Sequence, residues 1–548
     1  MALTFHVEHF GCRAARADGE AVSGRLRVAG LWEGEPSAAD VVIVNTCSVT
    51  AEADRAARAF IRRAHRVNPA ARIVVTGCYA QRAPEDLAGM AGVAAVVGNS
   101  HKALAPEIVL GLARDGAGVG LAAPKELVSV ESIVAGGARA SAPVWADDRF
   151  AHSFLEEAQV VPGAQTRPNL KIQEGCGNRC SFCVIPQTRG SSRSLPAAAI
   201  LKQVEGFVAA GGKELVLSGI NLGRWGRDLA APAYERTDRD SRFPTLSAEG
   251  GDAGSSTSVA AATFAQKDRA LGEEASAPRS LAGLARRILE QTGLARLRLS
   301  SIEPMDWDAE LIGLMAEFAH PNSSSPRLAR HAHLPLQSGS DAVLRRMHRR
   351  YRPWHYVEKV EALLRAAGPE LTLGADVMVG FPGETDAEFE ETLELVRSVP
   401  FAYLHLFPFS PRPGTPAWAL HAQRPVRAAV VEERMAVLRA LAAEKSQAHR
   451  RRFVGRELEA ITLRTPAEMT ARGRTAALTE NFLPVELEGR LDSNRLVRLR
   501  VTGLTAEGTL KAVLEPAEGI QYAATAMSVR AKSVPLKSNS SPVSLARA

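Results

Sequence analysis

Three cysteines, Cys176, Cys180 and Cys183, stand in one short loop in the spacing Cys-x3-Cys-x2-Cys, directly after the alternating apolar run NLKIQ. A structural zinc site takes four protein ligands, so three thiolates leave either a ligand supplied from afar or one metal position open. In a cubane iron-sulfur cluster the open position is useful, because three irons take thiolates and the fourth is free to bind a substrate or cofactor. A zinc knuckle lacking one ligand is the bland alternative. The remaining three of the six cysteines, Cys12, Cys47 and Cys78, close the segments LTFHVEHFGC, DVVIVNTC and RIVVTGC. Each falls at the carboxyl end of a predicted strand, where open α/β sheets bring their loops together to bind ligands. One such cysteine alone reads as ordinary core. Three at equivalent strand ends, with none left over, read as a second ligand set. A large chain without a secretory signal keeps its thiols reduced, which favours metal over disulfides.

The elements that must hold these sulfurs are legible as alternating patterns. Residues 1–110 alternate apolar strands, ending with VAAVVG, with helical stretches such as AEADRAARAFIRRAHRVN, a parallel α/β arrangement. Asn45, Thr46, Thr76 and Gly77 suit the rim of a cluster, where hydroxyls and amides bond to sulfur. Residues 111–168 form a connecting segment. From Asn169 six strand-like runs follow: NLKIQ, KELVLSGIN, ARLRLSS, HAHLPLQ, LTLGADVMVGF and AYLHLFPF. Helical stretches separate them, so residues 169–450 read as an open partial (β/α)6 barrel with its site at the carboxyl ends of the strands. LSGINLG, HLPLQSGSD and GADVMVGFPGET place Gly219, Asn221, Gln337, Ser338, Asp376, Gly380 and Gly383 beside that cavity, the glycines allowing close backbone approach. Thr385 and Glu388 also fit a helix-capping box. The stretch 231–279 is rich in Ala, Gly, Ser, Thr and Asp without sustained period, and reads as a disordered surface insertion dispensable for chemistry. Short alternating runs over 453–525 indicate a small β-barrel, and 527–548 a frayed tail.

The net charge of +7 is carried in part by LRRMHRRYR and HRRRFVGR, which fit a polyanionic partner such as RNA or, more simply, a solvated basic face. No apolar run is long enough to span a bilayer and no leader precedes the first strand, so a cytoplasmic protein without membrane contact is expected.

In their order along the chain, these motifs resemble the two-cluster radical S-adenosylmethionine (SAM) methylthiotransferases over about residues 3–525, including Phe182 just before the last cysteine of the loop. The resemblance implies an amino-terminal methylthiotransferase domain, a radical SAM barrel and a carboxyl-terminal TRAM-type RNA-binding barrel. It assigns Cys176, Cys180 and Cys183 to a SAM-binding [4Fe-4S] cluster and Cys12, Cys47 and Cys78 to an auxiliary one. RLSSIEP, HLPLQSGSD, GADVMVGFPGET and LHLFPFSPRPGTPA most resemble the branch that methylthiolates N6-threonylcarbamoyladenosine beside the tRNA anticodon. Sister branches act on isopentenyladenosine in tRNA or on an aspartate of a ribosomal protein, and a non-catalytic iron-sulfur RNA sensor is the reading from another class. A monomer is implied, served by a flavodoxin- or ferredoxin-type reductant and a sulfur donor. Arg495, Arg498 and Arg500 in NRLVRLR are expected to contact tRNA phosphates, and Arg189 or Arg193 the anionic threonylcarbamoyl group. Two features depart from the family: Ala14 and Ala15 follow GCR where an Asn is usual, and the 231–279 insertion is atypical.

Overall fold

The computed structural model describes residues 3–114, 141–154, 166–229, 278–323 and 326–515. The insertion read at 231–279, save its last two residues, lies outside them, as do much of the 111–168 segment and the whole of the 527–548 tail.

The amino-terminal region is a parallel sheet built from β1 (Thr4–His9), β2 (Trp32–Glu33), β3 (Val41–Thr46), β4 (Arg72–Gly77), β5 (Val93–Gly98) and β6 (Val144–Trp145), in the order β2-β1-β3-β4-β5-β6. Every residue of β3 is buried, which is why VVIVNT is a continuous run rather than an alternation. The two-residue edge strands β2 and β6 are too short to carry a periodic signal in the sequence.

The expected partial barrel follows as β7 (Asn169–Glu174), β9 (Glu214–Gly219), β10 (Arg296–Leu299), β11 (His331–His333), β12 (Thr372–Val379) and β13 (Tyr403–Pro408). Neighbours run parallel in chain order, with single bridges Leu297↔Leu328 and Ser301↔His333 joining β10 to the β11 side. A short β8 (Arg193–Ser194) adds antiparallel to β7. Helices such as Ala197–Ala209, Leu281–Gln291 and Asp386–Ser398 cover the outside, and the last begins with the expected Thr385/Glu388 capping box.

The chain ends, among the described residues, in a closed five-stranded barrel of β14 (Glu457–Thr462), β15 (Arg474–Thr479), β16 (Pro484–Glu488), β17 (Leu496–Leu504) and β18 (Leu510–Leu514), consistent with a TRAM module. It plugs the amino-terminal mouth of the larger barrel. Phe482 lays its ring 4.4 Å from His331 and under the Arg298 guanidinium at 5.2 Å. Arg298 donates to the backbone oxygens of Thr479 (3.3 Å) and Glu480 (3.2 Å), and Arg296 pairs with Glu459.

Glu214 is the hub of this joint, accepting from Arg167 at 2.7 Å, Arg298 at 2.8 Å and Arg296 at 3.2 Å. Burial alone would raise its carboxyl pKa, but Arg298, Arg167 and Arg296 outweigh that and hold it well below the ordinary range. Glu214→Gln would leave these guanidiniums facing one another without a counter-charge, a loss of about 3–5 kcal/mol expected as a lowered thermal midpoint. Because the folded pKa is depressed, this contribution is complete above the unfolded carboxyl value of about 4.3 and fades only as pH falls toward the folded one. Wild type and variant should therefore converge in strong acid.

Candidate metal and cofactor centre

The two cysteine sets each converge, and both lie at carboxyl ends of strands. Cys12 is the N-cap of helix Arg13–Val28, Cys47 directly follows β3, and Cys78 opens helix Cys78–Arg82 after β4. Gly11 sits at φ +126, and a side chain there would collide with Cys47, so the chain turns tightly against that cysteine. Val49 N–H donates to Cys47 Sγ at 3.4 Å, and Asn99 Nδ2 to Cys78 Sγ at 3.3 Å. No donor to Cys12 Sγ occurs among the described residues, consistent with alanines at 14 and 15. Of the residues expected at the rim, Thr46 instead turns its hydroxyl to Thr76 O at 2.5 Å and accepts Tyr79 N–H at 3.2 Å, which fixes the helix that begins at Cys78.

In the second set, Asn178 N–H donates to Cys176 Sγ and Ile185 N–H to Cys183 Sγ, both at 3.4 Å. Asn221 Nδ2 approaches Cys176 Sγ at 3.6 Å, and Arg349 Nη1 donates to Cys180 Sγ at 3.3 Å while pairing with Glu303. Burial pushes the thiols of Cys47 and Cys183 up to about 12 and raises that of Cys176, so metal must displace protons there. A zinc ion draws its thiolates to roughly 3.8 Å of one another, given Zn–S bonds of about 2.3 Å. Neither triad is drawn in that closely, since no three cysteine sulfurs lie within 4.8 Å of one another among the described residues.

A short helix, Ile185–Arg189, runs between the two sets. Its first N–H meets Cys183, and the guanidinium of its last residue donates through Nε to Cys78 Sγ at 3.2 Å. Five residues at 1.5 Å each give about 7.5 Å of helix, plus one arginine side chain, between the triads. Asn99 stitches the same joint by donating to Thr188 O at 2.9 Å.

Behind Arg189 lies a buried network of five charges from both domains: Asp18, Lys102, Lys171, Glu174 and Arg189. Arg189 Nη1 pairs with Glu174 at 2.6 Å and Asp18 at 3.1 Å, Lys171 with Glu174 at 2.6 Å, and Lys102 with Asp18 at 3.1 Å. Burial opposes ionisation of both carboxyls, yet the surrounding cations hold both below their usual range. Three cations face two carboxylates. Burial of that surplus shows in Lys102, pulled down to about 8 despite its two acidic partners. The Arg189 guanidinium reaches past the two carboxylates to Cys78 Sγ, at 3.2 Å. A second pin joins the domains where Asp54 takes Arg82 and Arg412, each at 2.8 Å.

Three strand ends, those of β9, β10 and β11, carry four buried polar atoms without a partner: Ser218 Oγ, Asn221 Oδ1, Ser300 Oγ and Gln337 Oε1. Each costs about 1–3 kcal/mol unless a ligand satisfies it. Gln337 also holds φ +63, a conformation costing about 1–3 kcal/mol that persists where surroundings enforce it, here the bonds of its N–H to Asp376 O and its carbonyl to Met378 N–H. A polar molecule with amino, carboxylate and hydroxyl groups, such as SAM, fits this donor and acceptor set. Gly219 packs on Gln173, whose Oε1 accepts Asn221 N–H at 2.7 Å. Asp376 stands between His333 and His405, which hold it ionised against the opposing effect of burial. Gly380 and Gly383 take φ +77 and +73, and Gly380 N–H donates to Glu384 at 2.8 Å. Ser338 differs from expectation. Its hydroxyl is spent on Thr392 Oγ1 at 3.0 Å and on Ser340 N–H at 3.1 Å, anchoring the loop to helix Asp386–Ser398.

The arginine expectations divide. Arg189 is fully buried on carboxylates and sulfur and is not offered to an incoming RNA, while half-buried Arg193 stacks on Phe150 at 5.4 Å and donates to Arg189 O. Arg495, Arg498 and Arg500 are exposed, the last two on one face of β17 opposite buried Leu499 and Val501. Arg500 also meets Glu457 at 2.6 Å. The run LRRMHRRYR is not a free basic face: Arg345, Arg346, Arg349, Arg350 and Arg352 all have acidic partners. No described helix is long and apolar enough to cross a membrane.

Two family models match the chain: one described as uncharacterized protein family UPF0004 over residues 4–98, and the radical SAM superfamily over residues 269–396. The second span begins beyond the cysteine loop, at residue 269. The chain is 31% identical over 506 residues to threonylcarbamoyladenosine tRNA methylthiotransferase MtaB of Rickettsia prowazekii, covering 92% of this chain and 96% of that protein. It is 31% identical over 503 residues to the protein of the same name from Bacillus subtilis, covering 91% and 93%. It is 32% identical over 510 residues to tRNA-2-methylthio-N(6)-dimethylallyladenosine synthase of Parafrankia sp., covering 92% and 84%.

Proposed function

The chain belongs to the radical SAM tRNA methylthiotransferases, and from that premise we propose that it methylthiolates C2 of N6-threonylcarbamoyladenosine next to the tRNA anticodon. The observation that carries the two-centre reading is helix Ile185–Arg189, with one end on Cys183 and the other on Cys78. Cys176, Cys180 and Cys183 would hold a [4Fe-4S] cluster with one iron open to SAM, and Cys12, Cys47 and Cys78 a second cluster, together supplying the electron, radical and sulfur chemistry that methylthiolation needs.

The chain's own part is binding, orientation and exclusion of water. Gly219, Asn221, Gln337, Gly380 and Gly383 line or shape the strand-end loops and would position SAM, Asn221 and Gln337 through their free side-chain oxygens. Arg349 and Arg189 each donate to one sulfur from a buried position, which stabilises negative charge on either centre where no water competes. The five-charge network and the Asp54–Arg412 pair fix the two domains, and so the two centres, relative to each other. Residues 1–110 then serve the auxiliary centre, 111–168 connect, 169–450 form the SAM barrel, and 453–525 bind tRNA phosphates through Arg495, Arg498 and Arg500. A flavodoxin- or ferredoxin-type reductant and a sulfur donor would serve it in the cytoplasm.

The choice of base rests on the relatives named for threonylcarbamoyladenosine and on the stretches RLSSIEP and LHLFPFSPRPGTPA. The relative named for dimethylallyladenosine at comparable identity favours the second reading. A paired assay decides. With tRNA bearing threonylcarbamoyladenosine and tRNA bearing isopentenyladenosine offered separately, mass spectrometry of the nucleosides should find the methylthio product in the first only. Product in the second alone would overturn the substrate and leave the enzyme class intact.

A further inference from the structure

We propose that His333, Asp376 and His405 bind one divalent transition-metal cation in the lumen of the six-stranded barrel, apart from both cysteine triads. The three residues come from adjacent parallel strands. Asp376 on β12 is directly opposite His405 on β13, and one step earlier Gly374 lies between His333 on β11 and Tyr403 on β13. Residues two apart on a strand share a face, so these side chains gather on one side of the sheet. Gly374 makes the gathering possible, because a side chain there would run into the Tyr403 ring.

His333 Nε2 lies 3.4 Å and His405 Nδ1 3.2 Å from the same oxygen, Asp376 Oδ1. All three ligand atoms fall within 4.8 Å of one another, and no other three such groups do so among the described residues. Ligands about 2.1 Å from a zinc ion stand roughly 3.0–3.5 Å apart in octahedral or tetrahedral geometry, so small side-chain rotations suffice to admit it. The remaining nitrogen of His333, Nδ1, bonds Ser301 Oγ at 2.9 Å, which aims Nε2 at the site as a ligating histidine requires. The Tyr403 ring packs on both imidazoles, 5.9 Å from His333 and 5.2 Å from His405, limiting their rotation. His333 is buried, Asp376 is partly buried and His405 is exposed, which leaves an entry path from solvent.

Two imidazoles and one carboxylate form the facial donor set that holds Zn²⁺ or Fe²⁺ with positions left open. A plain carboxylate bridge between two histidines has the same contacts and is the competing description. With a dication opposite one carboxylate, the lumen gains net positive charge that Arg189, buried on its carboxylates, does not provide. That consequence, an attraction for the anionic threonylcarbamoyl group, rests on the proposed substrate. The site itself does not.

The test uses the full chain with both clusters assembled, incubated with Zn²⁺, desalted, and assayed for zinc and iron by mass spectrometry. Wild type should retain about one zinc, and His405→Ala and Asp376→Asn should each weaken retention at least about tenfold with iron unchanged. His405 is exposed, so its replacement leaves the fold intact. Equal zinc in wild type and His405→Ala, or none in wild type, would overturn the site. In a second arm, Zn²⁺ should tighten binding of tRNA carrying threonylcarbamoyladenosine and not of tRNA carrying isopentenyladenosine. No zinc effect on either would overturn the role in recognition while the metal count decides the site.

Discussion

Alanine at Cys176, Cys180 and Cys183 together is expected to abolish reductive cleavage of SAM, whereas alanine at Cys12, Cys47 and Cys78 should spare cleavage and stop methylthiolation. The asymmetry follows from where each set sits. The first occupies the loop after β7, beside the unpartnered polar atoms of Ser218, Asn221, Ser300 and Gln337 that suit SAM. The second lies at the ends of β1, β3 and β4 in the other domain, and helix Ile185–Arg189 runs from one set to the other. Iron and sulfide should approach about eight of each per chain after anaerobic reconstitution, and about four in either triple variant. The readouts are 5'-deoxyadenosine, methylthiolated nucleoside and iron content. Full iron in the Cys12, Cys47 and Cys78 variant would show that those residues hold no cluster, and loss of 5'-deoxyadenosine in it would show that the two centres are not separable.

What could be read in the sequence was whatever short-range pattern encodes. The six barrel strands, the Thr385/Glu388 box and the placement of all six cysteines at strand ends depend on periodicity and spacing within about ten residues, and the structure has each of them. What failed depended on partners far along the chain. LRRMHRRYR reads as surplus positive charge because Glu303, Asp306 and Glu388 lie dozens of residues away. Arg189 reads as a contact for the anionic threonylcarbamoyl group because Asp18, which it pairs with, comes from another domain, 171 positions earlier. Arg349, the donor to Cys180, was hidden inside that same basic run, and only its fold-imposed burial sets it apart. The His333–Asp376–His405 group follows the same logic: Asp376 could be singled out from GADVMVGF, but its two histidines meet it only through strand pairing.

Charge counting in the buried network separates what Arg189 and Glu174 do. Arg189→Met leaves Lys102 and Lys171 against Asp18 and Glu174, a balanced set, so the fold should survive with a loss of about 1–3 kcal/mol from the missing hydrogen bonds. Cys78, however, loses the one arginine that donates to its sulfur among the described residues, and with it a buried positive charge beside the proposed second cluster. Iron should therefore fall toward about four per chain while SAM cleavage persists. Glu174→Gln does the reverse. It leaves three cations facing Asp18 alone, an uncompensated buried charge costing about 3–5 kcal/mol, and the expected result is a lowered midpoint that affects both centres together. Arg189→Lys keeps the charge but not the planar fork that reaches Cys78, Asp18 and Glu174 at once, so partial recovery of iron is expected. Thermal melting and iron content on the same samples distinguish these outcomes. If Arg189→Met retains all its iron, the arginine is a structural pin between domains and contributes nothing to holding the cluster at Cys78.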